Sequence, residues 1–245
     1  MQITKYMKMA EVIHLNYLLL PVINRFGIEL GFGESNVEDV CVKNNINIDF
    51  FLEIVNAFHD KDYFPAAHLQ SFSVQEIIRY LKRSHHYFMG VKIPEIEKYI
   101  SELFHTSDAL VKKKAMALIQ FFDQYKSELT LHIKREEEIV YPYVVDLSIC
   151  YENNKITEII LDKIKAYPIS AYEAEHDNIE EKLFDLKNIL IKYFPNSNNT
   201  LSTKILIELF RLEKDLKDHQ LIEDKVLIPK VVELEYQFLQ KKNEK

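Results

Sequence analysis

Residues 132–147 read His-Ile-Lys-Arg-Glu-Glu-Glu-Ile-Val-Tyr-Pro-Tyr-Val-Val-Asp-Leu, and residues 219–234 read His-Gln-Leu-Ile-Glu-Asp-Lys-Val-Leu-Ile-Pro-Lys-Val-Val-Glu-Leu. An offset of 87 residues brings His132 onto His219, Glu136 onto Glu223, Pro142 onto Pro229 and Val144-Val145 onto Val231-Val232. Each copy extends an apolar stripe at helical spacing. The first runs Val111, Ala115, Leu118, Phe122, Tyr125, Leu129, His132, Glu136, Ile139, and the second Ile205, Leu209, Leu212, Leu216, His219, Glu223, Val226. Intervals of three and four mark one face of a long helix. One helical hairpin used twice makes an antiparallel four-helix bundle, so the repeat predicts an all-α fold. The composition agrees, because a chain with Gly 4 and Pro 7 has few turns to spend on strands.

The bundle has a predecessor. Residues 9–26 read as a helix, and three of the four glycines follow it at Gly27, Gly31 and Gly33, which marks a turn. Asn36 and Asn47 are expected N-caps of short helices near 37–43 and 48–58. Periodicity is lost over 59–72, and Ser73 with Glu76 fits a capping box that opens the next helix. The expected division is a small helical domain at 1–65 and a bundle at 70–245.

The polar residues on the apolar stripes carry the chemistry. A buried polar group without a partner costs about 2–7 kcal/mol, so these groups must meet one another or an ion. His132 with Glu136, and His219 with Glu223, are four apart and share a helix face. A further stripe, Ile169, Tyr172, His176, Ile179, Leu183, Leu186, Leu190, Tyr193, carries His176. The first bundle helix carries His85-His86. From His86 the intervals to His132, His176 and His219 are 46, 44 and 43 residues. Antiparallel helices bring groups at near-equal intervals to one height. Four imidazoles and two carboxylates then converge, a nitrogen and oxygen donor set that suits two iron or manganese ions. A buried hydrogen-bond network holding the bundle in register is the competing explanation.

On the first helix the stripe Val74, Ile78, Leu81, His85, Phe88 favours His85, since adjacent helical residues point about 100° apart. Glu128 lies one turn before His132, and Glu175 adjoins His176. Glu137, Glu138 and Asp224 read as a solvated face. Tyr141, Pro142 and Tyr143 read as a packing corner.

Other classes are excluded. Cys41 and Cys150, the two cysteines, cannot build a disulfide framework, a four-cysteine zinc site or a thiolate-held iron–sulfur cluster within one chain. A net charge of -7 argues against a nucleic-acid-binding surface. The apolar run from Leu15 to Ile23 is too short to span a bilayer and contains Pro21. A soluble chain of a reducing compartment, the cytoplasm, is expected.

The motifs resemble the hemerythrin-like di-iron proteins that repair iron–sulfur clusters. The likeness runs through His85-His86-Tyr-Phe with Ile93-Pro94, then Glu128-Leu-Thr-Leu-His132-x3-Glu136-Glu137-x3-Tyr141-Pro142. It continues through Pro168-Ile-Ser-x2-Glu173-x-Glu175-His176-Asp177 and ends at His219-x3-Glu223-x4-Ile228-Pro229. The resemblance implies a non-haem di-iron centre, oxo- or hydroxo-bridged, with zinc or manganese less expected. Its metal ligands would be His86, His132, Glu136, His176, His219 and Glu223, with His86 and His132 on one iron, His176 and His219 on the other, and both glutamates bridging. His85, Glu128 and Glu175 would lie beside the metals. It implies repair of, or iron delivery to, clusters damaged by nitric oxide or oxidants, with iron–sulfur proteins as recipients. Binding or sensing of oxygen or nitric oxide, and nitric oxide reduction, are the alternatives. A homodimer is compatible with it; nucleic acid and membrane partners are not expected. The small N-terminal domain resembles the same family through Arg25-Phe-Gly-Ile-Glu29-Leu30, but Gly31 and Phe32 stand where a cysteine pair is usual.

Overall fold

Three prolines, Pro94, Pro142 and Pro229, interrupt helices that would otherwise run straight through. A proline inside an α-helix lacks its N–H and collides with the carbonyl four residues back. In the computed structural model, which describes residues 1–104, 109–155, 157–174, 179–193 and 199–243, each helix answers with one π-helical turn. These turns are Phe88–Lys92, Glu136–Val140 and Glu223–Leu227. In each, the N–H just before the proline (Ile93, Tyr141, Ile228) reaches back five residues, to the carbonyl of Phe88, Glu136 or Glu223.

The turns join helices into three long rods. The first is α6 (Val74–Tyr87) with α7 (Ile93–Phe104). The second is α8 (Ala109–Arg135) with α9 (Tyr141–Glu152). The third is α13 (Asn199–Ile222) with α14 (Ile228–Asn243). The remaining corner holds α10 (Glu158–Ala166), α11 (Ile169–Ala174) and α12 (Ile179–Tyr193). Helix α7 packs on α8 and α13, and α12 packs on the same two, closing a four-helix bundle. The fold is all-α. Among the described residues the one β contact is an isolated bridge between Lys8 and Asn36, and no helix is long and apolar enough to cross a membrane.

Ahead of the bundle come α1 (Met9–Leu15), α2 (Leu20–Arg25), α3 (Val37–Lys43), α4 (Ile48–His59) and α5 (Ala66–Leu69). Asn36 and Asn47 cap α3 and α4 as expected, and Ser73 caps α6, its hydroxyl accepting from Glu76 N at 3.2 Å. The helix expected over 9–26 is instead broken. Asn16 leaves helical geometry, its side chain accepts from Leu18 N, and a 3₁₀ turn (Tyr17–Leu19) leads into α2, where Pro21 sits in the first turn. A side-chain acceptor at Asn16 offers the backbone an alternative to the helix.

Two hydrophobic cores result. One fills the bundle among α7, α8, α12 and α13, with Ile96, Leu118, Phe122, Leu186 and Leu209 buried. The other joins α6, α9 and α14 to the N-terminal helices through Phe51, Ile54, Ile77, Leu81, Val144 and Val231. On every rod the polar stripe residues fall between the two. His85 lies between Leu81 and Phe88, Glu136 between Ile133 and Val140, and His219 between Leu216 and Ile222.

The π turns also explain one departure from periodicity. Ile139, expected on the buried stripe, is 59% exposed, while Val140 and Tyr141 are buried. The extra residue in the turn shifts the inward register by one position.

Candidate metal centre

Rods α6–α7, α8–α9 and α13–α14 deliver four buried side chains to one point: His85, Glu136, His219 and Glu223. One ligand atom from each lies within 4.8 Å of all the others. His85 Nε2 is 3.1 Å from Glu136 Oε2 and 3.1 Å from His219 Nε2. His219 Nε2 is 3.5 Å from Glu223 Oε2. On the other side of Glu136, its Oε1 lies 3.0 Å from His132 Nε2.

Each carboxylate is held from outside by a tyrosine. Tyr172 Oη donates to Glu136 Oε1 at 2.5 Å, and Tyr141 Oη donates to Glu223 Oε1 at 2.6 Å. Burial, then the negative charge of Glu223 and Glu136, pushes both hydroxyls up from the ordinary phenol range, so both remain protonated donors. The Tyr141 ring also stacks on His85, with centroids 5.7 Å apart. His85 Nδ1 lies 2.9 Å from Glu137 Oε1. Burial opposes a charge on His85, but hydrogen bonds to Glu136 and Glu137 outweigh it and raise the imidazole to about 9. The hydrogen bond from His85 in turn lowers Glu137.

Two imidazole nitrogens at 3.1 Å cannot both present lone pairs to each other unless a proton or a cation lies between them. Two carboxylates complete the set. These donors fit a divalent cation, and a nitrogen and oxygen set without thiolate suits iron, manganese or zinc.

The Hemerythrin HHE cation binding domain family model matches residues 76–231. The chain belongs to that family. The match covers every residue of the cluster and stops short of the N-terminal helices, α1 to α5.

The sequence-predicted residues separate on this geometry. Glu136, His219 and Glu223 converge, and His132 stands beside Glu136. The first-helix ligand was expected at His86; the structure brings His85 instead. His85 continues the inward stripe of α6, whereas His86 is exposed. Glu128 is half-exposed and pairs with Lys182 on α12, with Gln124 at 3.3 Å, rather than facing the cluster. His176 and Glu175 lie outside the described residues.

Three participants escaped the sequence reading. Glu137, read as solvated, reaches His85 because the π turn opening at Glu136 leaves its neighbour facing α6. Tyr141, read as part of a packing corner, is turned inward by the same turn. Tyr172 did carry a signal, since it lies four residues before His176 on one stripe.

Proposed function

We propose that the chain is a non-haem di-iron protein that repairs, or delivers iron to, iron–sulfur clusters damaged by nitric oxide or oxidants. The observation supporting this reading is the splay of Glu136. One of its oxygens faces His85 and the other faces His132, so this buried carboxylate joins histidines from two rods at the place where the metal would be held. In this reading His85 takes the place on α6, and His85, His132, Glu136, His176, His219 and Glu223 would hold the iron pair. Iron held by these residues would supply redox chemistry and would itself be the cargo.

The protein groups do the rest. Tyr172 and Tyr141 each restrain one oxygen of a buried carboxylate and so orient Glu136 and Glu223 in the cluster. The two hydrophobic cores wall the site above and below. The recipients are iron–sulfur proteins.

The test is the iron content and absorption spectrum of the full chain, followed by reactivation of an oxidant-damaged iron–sulfur enzyme. Two irons per chain, with reactivation by the wild type and none by His132→Ala, is the expected result. Zinc or no metal, or equal behaviour of the two proteins, would sink the reading.

A second reading, binding or sensing of oxygen or nitric oxide, is favoured by one observation. A half-open, mostly apolar pocket of about 340 Å³, lined by Ile139, Val140, Pro142 and Ile169 and also by Glu138 and Lys163, reaches the tyrosine that holds Glu136. A reversible spectral change with either gas and no cluster repair selects it. Nitrous oxide formed under reducing turnover selects nitric oxide reduction instead.

A further inference from the structure

His85 and His219 face each other, yet they are held in different ways. His85 Nδ1 is anchored by Glu137 at 2.9 Å. Among the described residues, His219 Nδ1 is buried without a hydrogen-bond partner. A metal-binding imidazole is ordinarily oriented through its outer nitrogen. Among the described residues, what bears on the His219 ring is packing. Its ring neighbours among them are His85, at 4.8 Å, and Phe88, which meets it edge-on at 5.6 Å and 78°.

Phe88 is itself backed by a charge. The Arg25 guanidinium, carried by the last residue of α2, lies 5.4 Å from the Phe88 ring centroid and 5.2 Å from that of Tyr87. Arg25 is 3% exposed. Its Nη2 pairs with Asp215, its Nη1 is 3.4 Å from the Tyr80 hydroxyl, and its carbonyl accepts from Arg83 Nη1 at 2.9 Å. Asp215 lies on α13 one turn before His219, on the same helix face. A single N-terminal side chain is thus linked to His219 by two indirect routes: through the Phe88 ring, and through the α13 turn that begins at Asp215. A buried guanidinium is retained only where it is paired, which fixes the geometry of both routes.

We propose that Arg25 is a positioning residue for His219, clamping α2 to α13 and to Phe88 so that the N-terminal helices aim a cation ligand inside the bundle. The proposal rests on the reading of His219 as a ligand. It gives residues 1–60 a role that needs no cysteine pair.

The experiment titrates the full-length chain with cobalt(II) and reads affinity and visible absorption bands, with thermal unfolding as the check on folding. Four variants are compared with wild type: His219→Ala, Arg25→Met/Asp215→Leu, Arg25→Met and Arg25→Lys. The double variant exchanges the ion pair for an apolar contact and so leaves no buried charge unpaired. It is expected to bind cobalt about tenfold or more weakly, with shifted bands, in the range typical of lost supporting contacts. Arg25→Lys, which keeps the charge without the fork, is expected to lie between the double variant and wild type. Should the double variant fail to fold, Arg25→Lys carries the same readout. Wild-type affinity and bands in the folded double variant, with binding lost in His219→Ala, overturns the proposal and leaves the metal site standing. Wild-type binding by His219→Ala removes the metal-site reading and this proposal with it.

Discussion

Glu137 Oε1 lies 2.9 Å from His85 Nδ1, although the two residues are 52 apart in sequence. The contact places the acceptor on the outer nitrogen of the imidazole. The inner nitrogen, Nε2, is then the one turned to Glu136 and His219. A carboxylate behind a ligating histidine fixes ring orientation and makes the ligand more basic.

Glu137→Ala should therefore weaken divalent-cation binding by about 10–100-fold while leaving the fold intact, because Glu137 is itself partly exposed. Glu137→Gln keeps an acceptor without the charge and should fall between. Isothermal titration with a divalent metal measures both. Unchanged affinity in Glu137→Ala would mean that the contact is incidental.

The two tyrosines act on the carboxylates in the same way, and their removal should show first in the metal-free protein. Tyr172→Phe and Tyr141→Phe each delete one hydrogen bond to a buried glutamate. A bond to a charged acceptor is worth about 1.5–3 kcal/mol. At roughly 2–4 °C per kcal/mol for a chain of this size, each variant should melt about 3–12 °C lower. A melting point within a degree of wild type would show that Glu136 or Glu223 finds another donor.

Cation binding itself should stabilise the fold. The four cluster residues are buried together with their charges and protons, and a cation binds the native arrangement alone. At a free metal concentration a hundred times the dissociation constant, mass action adds about 2.7 kcal/mol, or a rise of about 5–10 °C. Chelation should reverse the rise. His132→Ala, which leaves the four-residue cluster complete, should keep part of it. Glu136→Ala should abolish it.

Glu235 supplies a pH dependence away from the centre. Burial raises its carboxyl above the ordinary range, although Tyr143 Oη at 2.5 Å and Ile169 N at 2.9 Å work in the opposite direction. The folded state then holds the proton more tightly than the unfolded state. This contribution to stability is complete below the ordinary carboxylate value and is lost as pH rises through the raised one. Glu235→Gln cannot ionise. Its urea midpoint should gain on wild type between pH 4 and pH 7, and a constant difference across that range would contradict the assignment.

How much of this was readable from residues alone depends on whether a local period carried the signal. The stripe on α13 is buried throughout from Ile205 to His219, and the stripe on α6 selects His85 over His86. Both follow from the spacing of side chains on an uninterrupted helix. Local period fails where the backbone changes pitch. Ile139 points outward and Tyr141 inward because one π turn intervenes, and Pro142 is the mark of that turn. The contacts of Arg25 were not legible for another reason. A buried arginine is identified by its partners, and Asp215 lies 190 residues away.

Gly27 gives the sharpest local test of the junction between α2 and α6. Its φ is +79°, and a Cβ there would stand 3.3 Å from Arg83 Nη1, the same nitrogen that donates to the Arg25 carbonyl. Gly33 has a φ of +57° with nothing within 4 Å of the equivalent position. Alanine at Gly33 meets backbone strain alone, about 1–2 kcal/mol. Alanine at Gly27 meets left-handed strain as well and also crowds Arg83 Nη1, which must give by a few tenths of an ångström beside the Arg25 carbonyl it donates to. Gly27→Ala should therefore unfold at a lower urea concentration than Gly33→Ala. In a double-mutant cycle the loss should fall when Arg83 is already alanine, because the collision is then gone while the strain remains. Equal midpoints for the two glycine variants, or no coupling to Arg83, would show that the contact around Arg25 bears none of the load at this turn.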